Sequence, residues 1–134
     1  MISVQTIINA SIEKVWELWT LPQHIIKWNY PSQEWHTTFA ENDLSINGRF
    51  KYTMQAKDQS TGFDFEGIYT NLKDFSLIEY QLFDNRKGSI HFEENNGIVT
   101  ISEIFEPNIH DPENMQIEWC QAVIDNFKKY AELH

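Results

Sequence analysis

Hydrophobic positions in this chain recur first at helical spacing, then at every second residue, then at helical spacing again. Ahead of the first helical stretch, Ile2 to Ile8 is a short β-prone run. It meets Asn9-Ala10-Ser11, where a short polar side chain can cap the free N–H groups of a helix. Ile12, Val15, Trp16 and Trp19 then fall at i, i+3, i+4 and i+7. Pro22 ends that helix, because the residue before a proline is pushed out of the α region. A second short helix is predicted over Gln23 to Lys27, closed by a turn at Trp28-Asn29-Tyr30-Pro31.

From Trp35 to Phe105 the period is two. Phe50, Tyr52 and Met54 alternate with Arg49, Lys51 and Thr53, and Phe63, Phe65, Gly67 and Tyr69 alternate with Asp64, Glu66 and Ile68. Further strands are predicted at Leu77 to Phe83, Gly88 to Glu93 and Ile98 to Phe105, with Glu94-Asn95-Asn96-Gly97 as a hairpin turn. Strands that follow one another without intervening helices pair antiparallel. After Pro107 and Pro112 comes the longest helical pattern, from Glu113 to Leu133. Cys120, Val123, Ile124, Phe127 and Ala131 form its apolar stripe, while Gln121, Asp125 and Lys128 face away. The predicted fold is α+β: a curved antiparallel β-sheet wraps a long C-terminal α-helix and leaves an apolar pocket between them, with two short helices after the first strand. No repeat, low-complexity tract or linker divides the 134 residues, so 1–134 is read as a single domain.

Composition narrows the function classes. Hydrophobic residues at 41% and charged residues at 22% describe a globular chain rather than a disordered one. Five Trp, nine Phe and five Tyr mean either a heavily aromatic core or a cavity lined with rings, and composition leaves both open. Twenty acids oppose ten bases, for a net charge of -10, which repels phosphate backbones and anionic lipid heads. The expectation is no nucleic-acid partner and no membrane partner. One cysteine, Cys120, forms no internal disulfide. No apolar run approaches the ~20 residues of a membrane span, and Met-Ile-Ser-Val carries no basic flank or cleavage site, so a cytoplasmic location is expected.

Candidate chemistry is sparse. Nucleophile elbows, phosphate loops, dinucleotide fingerprints, HExxH and paired Cys motifs are absent. Asp43-x-Ser45-x-Asn47-Gly48 resembles the opening of a calcium loop, but its twelfth position is Met54 where a bidentate Glu is required. The histidines at 24, 36, 91, 110 and 134 have no second ligand at metal spacing. Neither a metal nor a cofactor is expected. Asp64 and Glu66 share a strand face and could act as an acid/base pair, although alternation with Phe63 and Phe65 makes them the solvent side of a half-buried strand. Cys120, set in the apolar stripe, reads as an inert buried thiol.

Several segments carry a family resemblance. Lys27-Trp28-Asn29 followed by Trp35-His36, and Ala40-x-Asn42-Asp43-Leu44 followed by Gly48-x-Phe50, resemble the KWN…WH and NDLxxGGxF segments of one protein family. Met54-Gln55-Ala56-Lys57-Asp58 and Gly62-Phe63-Asp64-Phe65-Glu66-Gly67 resemble its MxAKD and GFDFEG strands. Asp84-Asn85-Arg86 resembles its DGR turn, and Ile124 to Tyr130 its LDNFKKY ending. That family is the branch of the SRPBCC superfamily similar to the C-terminal domain of the heat-shock-protein ATPase activator. Its helix-grip fold is shared with START domains and the birch-pollen allergen. Asn47 and Asn85 replace family glycines, so both turns must hold an Asn at positive φ. The family's Gly-Trp pair on the last helix is here Trp119-Cys120, which moves the large ring one position along and is expected to leave the pocket emptier at Cys120.

The resemblance implies a ligand-sized cavity but no single activity. The first function is binding of a small hydrophobic or aromatic molecule. Trp28, Trp35, Phe50, Tyr52, Met54 and Phe65 are candidate lining residues, joined by Tyr69, Cys120, Ile124 and Phe127, with His36 or Arg86 as polar anchors. The alternative is a co-chaperone-like surface that binds a chaperone ATPase in a stress response. It ranks second because the partner domain that usually precedes the family's activator domain is not among these residues. A cyclase-type enzyme using His36, Asp64 or Arg86 ranks third. A monomer or homodimer is compatible with each.

Overall fold

The computed structural model describes residues 1–134. Ile2–Ile8 forms β1, with alternate residues Ile2, Val4, Thr6 and Ile8 turned into the core. Ser11 caps α1 (Ile12–Thr20), its side chain accepting from the Lys14 N–H at 3.3 Å. Leu21 is extended and separates α1 from α2 (Pro22–Trp28), which begins on the proline and runs one residue further at each end than its pattern predicts. The strands follow as β2 (Trp35–Asn42), β3 (Arg49–Ala56), β4 (Gly62–Lys73), β5 (Leu77–Leu82), β6 (Lys87–Asn95) and β7 (Ile98–Phe105). The long helix α3 (Glu113–Leu133) completes the chain with the predicted bounds.

All seven strands lie in one antiparallel sheet in the order β1-β7-β6-β5-β4-β3-β2. Register shifts between Thr37 and Phe39 in β2, and between Tyr69 and Asn71 in β4, bend the sheet so that its concave face curls toward α3. The hairpin between β6 and β7 is tighter than its sequence suggests. Glu94 and Asn95 remain paired, and only Asn96 and Gly97 turn, both at positive φ. Asn47 and Asn85 take φ of 67° and 73°, the left-handed conformation expected of an Asn standing in for glycine. The segment resembling a calcium loop is the β2–β3 turn. Gly48 is packed so tightly there that a Cβ would sit 2.1 Å from the Asp43 carbonyl oxygen.

α3 uses its stripe in two ways. Ile124, Phe127 and Ala131 are wholly buried against β1, α1 and α2, where the Phe127 ring meets Trp19 and Trp28 at centroid distances of 4.8 and 4.7 Å. The polar face is not simply turned to water. Gln121 donates to the Gln5 carbonyl at 3.0 Å, Lys128 donates to the Ile7 carbonyl, and Glu132 accepts from the Asn9 N–H at 2.9 Å. These contacts occupy polar groups along the open edge of β1 that would otherwise offer a template for another strand.

Candidate ligand cavity

The chain's aromatic residues divide between a solid core and a cavity wall. Trp16, Trp19, Trp28, Phe92 and Phe127 interlock edge-on and tilted in the core, where Trp19 and Trp28 also reach the edge of the cavity. A second group, Phe50, Tyr52, Phe65, Tyr69 and Tyr80, stands on the concave face of β3, β4 and β5, each ring within 5.0 to 6.4 Å of a neighbour. A third group joins Trp35 of β2, Phe63 of β4 and Trp119 of α3, with Trp35 and Trp119 meeting edge-on at 4.8 Å. Between the last two groups and the N-terminal half of α3 lies a cavity of about 760 Å³.

Strand alternation and one glycine shape its wall. Gly88 pairs across the sheet with Tyr80, and a Cβ there would lie 2.3 Å from the Tyr80 Oη. The bare backbone therefore makes room for the phenol ring. Gly88→Ala should displace that ring at a cost of about 1–3 kcal/mol, read as a melting point lower by roughly 3–9 °C. An unchanged melting point would show that the ring does not need the space.

Polar groups converge on the cavity from several elements. Tyr69 donates its hydroxyl to Asn42 Oδ1, and Asn42 in turn donates to the Thr20 carbonyl at 2.6 Å, tying the end of β2 to α1. Tyr52 and Tyr69 hydroxyls approach to 3.5 Å. Burial pushes the Tyr52 phenol up to about 12 and the Tyr69 and Tyr80 phenols higher still, so all three stay protonated donors. Burial also raises the Cys120 thiol to about 12, with the nearby Glu103 adding to the shift. Glu103 itself is raised to about 7 by burial, with no charge or hydrogen bond offsetting it.

Nine sequence-derived candidates border this cavity: Trp28, Trp35, Phe50, Tyr52 and Met54, then Phe65, Tyr69, Arg86 and Cys120. Three do not. His36 follows Trp35 on β2 and points away from the cavity, while Ile124 and Phe127 are absorbed into the core by the C-terminal half of α3. Trp119, the displaced ring, borders the cavity together with Cys120. Glu103 went unnoticed because a charged residue in a strand ordinarily faces water. Its signal was the phase of β7: Val99 and Ile101 point inward, and Glu103 stands at the next inward position. Asp64 lies on an exposed stretch of β4, where its carboxylate accepts from Thr53 at 2.7 Å and sits 3.7 Å from Lys51, and Arg86 is tied to Asp84 at 2.8 Å.

A curved antiparallel sheet gripping a C-terminal helix, with a ring-lined space between them, defines a helix-grip domain of the SRPBCC type. The chain belongs to the family described as Activator of Hsp90 ATPase homolog 1-like protein, whose model matches residues 9–132. It is similar to the solution structure of an AHSA1-like protein from Aeromonas hydrophila, with 34% identity and a TM-score of 0.88 over 98% of this chain and 93% of that one. A protein from Cytophaga hutchinsonii shares 43% identity at a TM-score of 0.85, over 98% of this chain and 92% of the other. A Chromobacterium violaceum protein at 21% identity and a TM-score of 0.79, covering 98% of this chain and 96% of that one, shares the fold. No curated protein matches the sequence. No helix is long and apolar enough to cross a membrane.

Proposed function

We propose that this protein binds a small hydrophobic or aromatic molecule in the cavity between the sheet and α3. The cavity itself carries the reading. At about 760 Å³ it falls within the ~300–1,000 Å³ range of small-molecule sites, and it combines apolar walls with a few polar groups. An enzymatic role has less support, because His36 is off the cavity and both Asp64 and Arg86 are held by neighbouring charges. The family's description supports a second reading, a surface that engages a chaperone ATPase.

A screen of fatty acids, flavonoids, sterols and aromatic polyketides separates the two. A ligand present at one hundred times its dissociation constant adds ~2.7 kcal/mol to the folded state, which for a chain of this size raises the melting point by about 8 °C. Cys120 supplies an independent readout. A thiol raised to about 12 carries little thiolate, so alkylation at pH 8 should run roughly tenfold to a hundredfold slower than for an unstructured cysteine. An occupied cavity should slow it further. If no compound protects on either measure, the cavity reading fails and the surface reading leads.

A further inference from the structure

Glu103 is the group in the cavity whose chemistry the apolar-ligand reading leaves unused. From the proposed binding of an apolar molecule, on which this step rests, we infer that the ligand carries a protonated amine that pairs with the Glu103 carboxylate while its apolar body lies against the rings of β3, β4 and β5.

The surroundings of Glu103 favour a cation over other head groups. Tyr80 of β5 and Cys120 of α3 border the same cavity, and both are held protonated by burial. Neither supplies a positive charge. Arg86, in the turn before β6, and Lys87, its first residue, also border the cavity, but Arg86 is engaged by Asp84, and neither cation shifts the Glu103 carboxyl. Glu106 and Asp111 add negative charge to the same wall, on a chain whose net charge is -10. An anionic ligand would meet the Glu103, Glu106 and Asp111 carboxylates, with Lys87 as the cation left to offset them. A neutral hydroxyl could donate one hydrogen bond, but an ammonium gives the stronger, charge-assisted bond to a half-buried carboxylate.

The desolvation of Glu103 is a cost borne by the folded protein, and an ammonium placed against it offsets that cost. It also restores ionisation. Since the free carboxyl titrates near 7, binding of an amine below that pH must release a proton. Amine affinity should therefore rise by up to about tenfold per pH unit below 7 and level off above it.

The test uses three compounds with one apolar body: biphenyl-4-ylmethylamine, biphenyl-4-ylmethanol and biphenyl-4-carboxylic acid. Calorimetric titration of the full chain at pH 6, 7 and 8 should give the amine an affinity at least tenfold above the alcohol at pH 8. That advantage should shrink toward pH 6, with proton release visible as a dependence of the binding heat on the buffer. Glu103→Gln should abolish both the preference and the pH dependence, and a cooperative melting transition shows that the variant is folded. If the alcohol or the acid binds as well as the amine, the amine assignment is overturned and the apolar-ligand reading stands. An amine preference that survives in Glu103→Gln overturns the placement on Glu103. Failure of all three compounds to bind overturns the amine assignment, while the cavity reading is decided separately by the melting-point and Cys120 screen.

Discussion

Phe127→Ala is expected to destabilise the protein by about 3–5 kcal/mol, the cost of deleting a buried ring whose surroundings cannot fully close. The site predicts the upper part of that range. Phe127 is wholly buried, and its ring is fixed by Trp19 and Trp28, which themselves pack at 4.8 Å. Both tryptophans are held by helices: the Trp28 indole donates to the Leu18 carbonyl at 2.9 Å, and Asn126, next to Phe127, donates to the Trp28 carbonyl at 2.7 Å. Rigid neighbours leave a void rather than collapse into it. Each kcal/mol moves the melting point of a chain this size by roughly 3 °C, so the variant should melt about 10–15 °C lower. Phe127→Leu, which keeps most of the volume, should lose only about 1 kcal/mol. If the alanine variant melts within a few degrees of the parent, α3 does not anchor the core through this ring.

The second large effect is a gain in stability. Glu103→Gln should melt above the parent at pH 8 and lose that advantage toward pH 4.5. Folding raises the Glu103 carboxyl from 4.5 to about 7. Between those values the folded chain keeps a proton that the unfolded chain releases, so raising the pH through this window favours unfolding. The contribution is present in full below 4.5 and is lost as the pH passes 7. A rise of this size corresponds to something on the order of 2–3 kcal/mol, or a melting-point difference of about 6–9 °C between the two ends. Cys120 and Tyr80, the groups that feel Glu103, are raised too far to titrate below pH 8 in the folded chain, so over this window the difference between the two proteins isolates Glu103. A difference that stays flat from pH 4.5 to pH 8 would show that the carboxyl is already hydrated or paired.

The contrast between those two residues shows what kind of information the chain carries. Phe127 could be placed inside from its spacing in the α3 stripe, since burying one face of a helix requires apolar residues at its own period. The period-two runs likewise marked β3, β4 and β7, and Pro22 and Ser11 marked helix boundaries through local steric and capping rules. What the stripe packs against is a different matter. Ile124 and Phe127 share a face with Cys120, yet the first two meet α1, α2 and β1 while Cys120 borders open space. The curl of the sheet decides that division, and it depends on register shifts at Thr37/Phe39 and Tyr69/Asn71 that interrupt the local pattern without announcing themselves in it.

The same distinction holds for the site. Nine of its wall residues could be named in advance, because concave strand positions are aromatic or apolar and the family resemblance marks the segments that bear them. Glu103 could not, because its inward phase competes with the general rule that charges face water, and only assembled strands show which wins. His36 failed for the complementary reason. Its neighbour Trp35 turns toward the cavity, and successive strand residues point to opposite faces. By itself the sequence determined the elements, their order and the family, since each rests on local periodicity or contiguous motifs. Tertiary structure alone decided that the rings leave a space rather than close it, and that the Glu103 carboxyl faces that space. Both depend on the curvature of seven strands around one helix, which no local stretch of residues encodes.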